Sequence, residues 1–289
     1  MLRALLAFLI LFTEPLEAAD RSRDDVEKAN LLESLLAERA SATGEVVCSQ
    51  QEFKGGSCKL ARIEINTNVV RSRRDSFLQR QCGSFSNGSR ATLKDVWHAL
   101  SAVHRRIASP SGQMEGHAPT YELEAWLNSP GEVNIRPKVI CEVGMNGGHS
   151  AAAWLCAFPD ARYIGFDLLK KRISQPSLAF LKQGFPGRVQ VIAGDTTHTL
   201  PEVEQLSCDV LSVDGGHTHR VALSDLIHIR RLAAPRHALI MDDLRCPWWV
   251  CRDPSMAWSQ LVRRGDVLEH KCEIIMGHAM GGYCVGAFA

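Results

Sequence analysis

The chain has 289 residues, 45% of them hydrophobic and 22% charged, a globular composition that excludes a disordered, collagen-like or coiled-coil protein. Its formal net charge is +1, so no excess of charge draws it to nucleic acid or to an anionic membrane. Ten cysteines exceed what packing needs and fall far short of a small fold built on disulfides, so their placement is the informative quantity.

Residues 1–19 read MLRALLAFLILFTEPLEAA. Arg3 precedes an unbroken apolar run from Ala4 to Phe12, Pro15 breaks it, and Ala18 and Ala19 follow, which is the layout of a secretory signal peptide cut after Ala18 or Ala19. The run is shorter than the ~20 apolar residues a spanning helix needs, so the mature chain is expected to be free of the membrane. The triplet Asn87-Gly88-Ser89 is a glycosylation sequon in a polar stretch. Together these point to the secretory pathway, the ER/Golgi lumen or the cell exterior, where cysteines can be oxidised.

Residues 20–44 carry an apolar stripe of Val26, Ala29, Leu32, Leu35 and Leu36 and read as one charged helix ending at Gly44. The β-like stretch ARIEINTNVV and the basic run Arg71-Ser72-Arg73-Arg74, read as a solvated surface, follow. Leu93, Val96, Trp97, Leu100, Val103 and Ile107 recur at helical spacing and predict an amphipathic helix over 92–108, ended by Ser109-Pro110-Ser111-Gly112. A shorter helix over about 120–128 is capped by Thr120.

From residue 138 short apolar strands alternate with helices. KVICEVG, ARYIGFDL, RVQVIAGD, CDVLSVDGG and RHALIMDD read as strands. Between them HSAAAWLCAF, PSLAFLKQGF, a turn around TLPEVEQL and HRVALSDLIHIRRLAA read as helices. The helix DPSMAWSQLVRRG leads to two last strands, VLEHKCEIIMG and GGYCVGAFA, joined by a short turn and therefore antiparallel. The pattern predicts an α/β fold, a doubly wound and mostly parallel sheet with an antiparallel terminal hairpin. The expected organisation is a leader (1–19), a mixed α+β extension (20–137) and an α/β domain (138–289).

Ligands of such sheets sit at the carboxyl ends of the strands, where strand order reverses. There the sequence places the turn Glu142-Val143-Gly144-Met145-Asn146-Gly147-Gly148-His149-Ser150, then Asp167, Asp195, Asp214 and Asp242-Asp243. Glycines allow a sharp turn and close backbone approach, and the turn opens a helix whose free N–H groups face the ligand. The G-x-x-G-G spacing and the ring of acids disfavour a pyrophosphate and suit a ligand with hydroxyls and positive charge. S-adenosylmethionine is such a ligand: Asp167 can accept from a ribose diol and Asp195 can meet the adenine edge.

CEVGMNGGHS, YIGFDL and VIAGDTTHTLP resemble the first three motifs of class I S-adenosylmethionine-dependent methyltransferases. The SVDGGHTH and ALIMDD pair resembles the metal-dependent O-methyltransferases of the macrocin and catechol type. The resemblance runs from Lys138 to the end. It implies a seven-stranded sheet with the last strand antiparallel, and methyl transfer to a hydroxyl of a sugar, glycan or small metabolite. It implies that Glu142, Gly144, Asn146, Gly148, Ser150, Asp167, Asp195 and Asp214 line the cofactor site. It also implies that Asp214, Asp242 and Asp243 hold Mg²⁺ or another divalent ion, a hard cation that prefers carboxylate oxygens. His217, with Asp214, is the candidate catalytic group, since an imidazole titrates in the range a base requires. His149 is expected near the cofactor, and Trp248 and Trp249 beside the acceptor. His198, His228, His237, His270 and His278 receive no role. The chain departs from the family at Asn146 and at Pro235-Arg236-His237, where many members have Pro-Gly-Gly. A binding protein that kept the fold without turnover is the alternative, with a nicotinamide oxidoreductase behind it.

Cys141, Cys208 and Cys156 fall on core positions and read as free packing thiols. Cys246 and Cys251 can close a small disulfide loop, and Cys272 and Cys284 face each other if the last turn centres on His278. Cys48, Cys58 and Cys82 form an odd set.

Overall fold

The computed structural model describes residues 46–47, 78–82, 91–107, 120–246, 249–276 and 281–289. The leader, the helix expected over 20–44, the ARIEINTNVV stretch, the basic run, the sequon, Ser109–Gly112, Cys48, Cys58, Trp248 and His278 lie outside these residues.

The elements are β1 (Val46–Val47), α1 (Leu93–Ile107), α2 (Thr120–Glu132), β2 (Val139–Val143), α3 (His149–Ala157), β3 (Arg162–Asp167), α4 (Ser174–Gly184), β4 (Val189–Ala193), α5 (Thr196–Glu202), β5 (Cys208–Val213), α6 (His219–Ile229), β6 (Ala233–Met241), α7 (Trp249–Arg264), β7 (Val267–Met276) and β8 (Gly281–Phe288). The strands form one sheet in the order β1-β7-β8-β6-β5-β2-β3-β4. β4, β3, β2, β5 and β6 are parallel, and β8 lies antiparallel between β6 and β7. The expected seven-stranded sheet is therefore present, and two-residue β1 adds an eighth strand at the β7 edge. Chain order reverses between β2 and β5, so the crevice opens there.

The central strands β2 and β5 are buried on both faces, whereas edge strand β4 is half-buried to exposed. One face packs α2, α3 and α4 through Leu123, Trp126, Trp154 and Leu181, and α1 joins it through Leu93 and Val96. The other face packs α6 and α7 through Leu226, Trp258 and Leu261. α1 starts where the sequence suggests because Thr92 and Asp95 cap it reciprocally: Asp95 N–H donates to Thr92 Oγ1 (3.2 Å), and Thr92 N–H donates to Asp95 Oδ2 (2.9 Å).

Three helices depart from expectation. α2 runs past Ser129-Pro130-Gly131 to Glu132; Ser129 Oγ donates to Ala125 O, and Ile135 N–H closes onto Pro130 O, so the proline is absorbed near the helix end. α5 starts at Thr196 because Asp195 caps it. α7 begins at Trp249 and carries Pro254 inside, where the sequence suggests a start at Asp253-Pro254. Pro235-Arg236-His237 lies within β6 and shifts its register against β5, Cys208 facing Ala233 and Val210 facing Ala238. His237 there donates from Nδ1 to Ala234 O (2.7 Å) and accepts Phe288 N–H at Nε2 (2.9 Å), a structural role. No described helix is long and apolar enough to cross a membrane.

The cysteines correct the sequence reading. Cys141 pairs with Cys208 and Cys82 with Cys156, so the three core thiols expected to be free are oxidised. Cys246–Cys251 and Cys272–Cys284 pair as anticipated, the latter directly opposite in register. No described cysteine is free. Patterning alone misses the core pairs because an apolar strand position suits a thiol and a disulfide equally, and only the sheet order makes β2 and β5 neighbours. Cys141–Cys208 links positions 67 residues apart, so replacing both by alanine should cost about 3–4 kcal/mol in urea unfolding; an unchanged midpoint would contradict the pairing.

Candidate functional site

The glycine loop after β2 is seated on the tip of β5. Gly144 has a φ of 91°, its N–H donates to Phe166 O (2.8 Å), and a Cβ on it would overlap the backbone carbonyl oxygen of Asp214. Only glycine meets both demands. Asn146 takes the left-handed conformation at φ 44° and Gly148 at φ 78°; asparagine tolerates this region better than most residues, so it fits the turn at this position. Gly148 precedes α3 without a side-chain cap on the helix, leaving the first N–H groups of α3 available to a ligand.

Beneath the loop lies Glu142, fully buried. Its Oε2 accepts from Tyr163 Oη (2.5 Å) and Ser150 Oγ (2.9 Å), while Oε1 has no partner at hydrogen-bonding distance. Burial pushes this carboxyl up to about 7, opposed by the hydrogen bonds of Tyr163 and Ser150 and by Trp154. Glu142 and Ser150 therefore join β2, β3 and the first turn of α3.

The other strand-end acids divide by partner. Asp167 Oδ2 accepts Asn146 N–H (2.8 Å) and Oδ1 accepts Leu169 N–H (2.6 Å), so it pins the glycine loop to the β3 loop and retains one lone pair per oxygen for a diol. Asp195 is exposed and accepts from Thr197 N–H and Oγ1, which hold its carboxyl below the usual range; it is first the cap of α5. His149 is the first residue of α3 and is buried against α1, 4.6 Å from the Trp97 ring and 5.0 Å from the His104 ring.

On the other side of the crevice, the backbone ladder continues past the strands: Asp214 N–H donates to Val143 O and Asp242 N–H to Val213 O. This draws the acids of β5 and β6 together. His217 Nε2 lies 2.7 Å from Asp243 Oδ2, and Asp243 sits at φ 54°. The hydrogen bond to Asp243 raises the imidazole, with desolvation opposing it. Burial, then Asp242 and Asp243, push the Asp214 carboxyl well up. One ligand atom each from Asp214, His217 and Asp243 lie within 4.8 Å of one another. Asp242, expected as a ligand, falls outside this trio, and His217, expected as a base, falls inside it. Two carboxylates and an imidazole suit a divalent ion, with the nitrogen favouring a transition metal over Mg²⁺. Trp249, at the start of α7, is 82% exposed.

Several supporting residues carry no sequence signal. Arg245 follows the acids at φ 58°; its N–H donates to Ser255 Oγ (2.7 Å) and its guanidinium to Glu269 Oε2 (2.6 Å), which Trp258 Nε1 also reaches (2.7 Å). This cluster and the Cys246–Cys251 link hold the acid loop to α7 and β7. Asp225 on α6 is fully buried; a Cβ on Gly215 would come within 2.9 Å of its Oδ2. Only the three-dimensional return of α6 under the β5 loop brings it there. Burial pushes its carboxyl up to about 7, partly offset by Thr196.

That shift has a defined sign. The folded carboxyl holds its proton more tightly than the unfolded one, so Asp225 weakens folding increasingly as pH rises from about 4 to about 7, and fully above that. Asp225→Asn should stabilise the chain by at most about 4 kcal/mol near pH 8 and by almost nothing near pH 4, measured by urea unfolding at both. A difference independent of pH would contradict the assignment.

Known proteins agree with this architecture. The family model described as a methyltransferase domain matches residues 141–244. No curated protein matches the chain in sequence. The crystal structure of cofactor-bound Rv0187 from MTB has a TM-score of 0.60 at 15% identity, covering 78% of this chain and 99% of that one. The O-methyltransferase TomG from Streptomyces achromogenes, solved in complex with SAM, has a TM-score of 0.54 at 16% identity, covering 68% and 90%. The SAH-bound Podospora anserina methyltransferase PaMTH1 has a TM-score of 0.54 at 16% identity, covering 80% and 100%. At these identities the likeness establishes the fold, and the glycine loop, Asp167, Asp195, Asp214 and the acid loop all fall in the matched segment. Residues 141–244, which match the methyltransferase-domain model, lie within a Rossmann-like α/β fold.

Proposed function

We propose that the chain is an S-adenosylmethionine-dependent O-methyltransferase acting on a hydroxyl of a sugar, glycan or small metabolite in the secretory pathway. The observation that carries this reading is the crevice between β2 and β5, with a glycine loop on one side and the Asp214–His217–Asp243 trio on the other. The loop and the open N–H groups of α3 suit the carboxylate of the cofactor, and the lone pairs left on Asp167 suit its ribose. The SAM- and SAH-bound neighbours support the cofactor.

His217 is placed to take the acceptor's proton, and Asp243 orients the imidazole and stabilises its charged form, as a carboxylate does beside a catalytic histidine. Methyl transfer then needs in-line positioning of the acceptor oxygen and the sulfonium methyl, which a preorganised crevice supplies. In a second arrangement, which the closeness of the three ligand atoms supports, Asp214, His217 and Asp243 would hold a divalent ion, Mg²⁺ or a transition metal, and His217 would be a ligand instead of the base. When bound, such an ion would hold the acceptor oxygen and acidify its hydroxyl. Exposed Trp249 offers a flat apolar face of the kind that sugar and aromatic acceptors stack on. Disulfides throughout the described residues, with the leader-like start, support an oxidising compartment.

Transfer of a labelled methyl from S-adenosylmethionine to a panel of small sugars and catechols tests the reading. His217→Ala should lower kcat by roughly 10²–10⁴-fold while leaving S-adenosylhomocysteine affinity unchanged. Loss of activity with a chelator, restored by Mg²⁺ or Mn²⁺, supports the ion; activity untouched by the chelator leaves the His217–Asp243 pair as the base. No transfer from a chain that binds the cofactor would favour the catalytically silent alternative.

A further inference from the structure

We propose that His104, in helix α1 and outside the matched domain, is a positioning residue for the glycine loop, which makes α1 part of the cofactor site. The inference rests on the reading of that loop as the cofactor site.

His104 is buried near the end of α1. Its Nε2 lies 3.1 Å from Gly147 O and 2.9 Å from Ser177 Oγ on α4. A carbonyl oxygen only accepts, so Nε2 carries a proton and shares it between the carbonyl and the hydroxyl. The Gly147–Gly148 peptide is thus held at both ends, because Gly148 N–H donates to Met145 O (2.8 Å). This hold matters at this peptide. Gly147 has no side chain, Gly148 is left-handed at φ 78° and Asn146 at φ 44°. Glycine accepts either orientation of such a peptide at little cost, so the local sequence leaves the plane undecided. A donor from α1 selects the orientation that points the carbonyl away from the crevice and sets the entry of α3.

The rest of α1 fits the same purpose. Trp97, Ser101 and His104 recur at i, i+4 and i+7 on one face, and all three touch the loop or the start of α3: Trp97 packs on the His149 ring at 4.6 Å, and Ser101 Oγ lies 3.4 Å from His149 Nε2. Buried polar side chains on an otherwise apolar helix face cost free energy unless they are bonded, and here their partners belong to the loop and to α3. The approach is fixed covalently as well. Cys82 N–H donates to Ala91 O and Leu93 N–H to Arg80 O, a short ladder leading directly into α1, and Cys82 is disulfide-bonded to Cys156 of α3. The extension therefore delivers a hydrogen-bond donor to the Gly147 carbonyl, in a peptide whose orientation glycine leaves open.

Calorimetric titration of the full chain with S-adenosylhomocysteine tests this. His104→Leu, which keeps the volume and removes the donor, should weaken binding by about tenfold or more, with an unchanged near-UV circular dichroism spectrum. His104→Gln, whose amide nitrogen reaches the position of Nε2, should restore affinity to within about threefold. Equal affinity of His104→Leu and the unaltered chain overturns the proposal, as does a folded glutamine variant as weak as the leucine one. An unaltered chain that does not bind S-adenosylhomocysteine refutes the cofactor reading itself and the inference with it. A second measurement needs no variant. Imidazole nitrogen spectra of the unaltered chain should show His104 as the Nε2–H tautomer, shifting on saturation with S-adenosylhomocysteine; an Nδ1–H tautomer, or a resonance indifferent to the ligand, overturns the proposal.

Discussion

The contact on which the site depends is between the Cα of Gly144 and the backbone carbonyl of Asp214. No side chain fits between them, so the turn leaving β2 rests directly on the end of β5. From that contact the rest follows. The Asp214 side chain is directed toward the β6 loop, where the His217–Asp243 pair lies, and the glycine loop is directed toward Asp167 on the other side. The crevice is thus a consequence of two adjacent parallel strands ending level with each other and of one residue without a Cβ.

A second constraint is charge. Glu142, Asp214 and Asp225 are carboxyls inside or under a closely packed sheet edge, and burial raises all three. A fold selected for stability alone would use apolar residues at such positions. Glu142 has a clear structural use, joining three elements through Tyr163 and Ser150. Asp214 draws its cost from the cluster that makes the site useful, since the neighbouring acids raise it further. The site is held from outside by groups that never face the crevice: Glu269 through Arg245 on the acid loop, and His104 on the glycine loop.

Much of this was legible in the sequence. Alternation of apolar strands with helices from residue 138 onward reads directly as a doubly wound sheet, and the acids at strand ends read as a row on one edge because strand ends share an edge by construction. The hairpin cysteines were legible because antiparallel register is fixed by the turn centre. What escaped depends on which strands and helices become neighbours. Cys141 and Cys208 pair only because β2 and β5 are adjacent. His217, not Asp242, stands beside Asp214 and Asp243, a proximity that periodicity does not report. His104 reads as one more residue on an amphipathic helix until α1 is seen to lie over the glycine loop.

The account stands most directly on whether the Gly144 turn forms a cofactor site. Calorimetric titration of the full chain and of Gly144→Ala with S-adenosylhomocysteine measures it. The account predicts one ligand bound per unaltered chain and no detectable binding to the alanine variant, because its Cβ has to displace the Asp214 carbonyl. No binding to the unaltered chain, or equal binding to a folded Gly144→Ala, would contradict it.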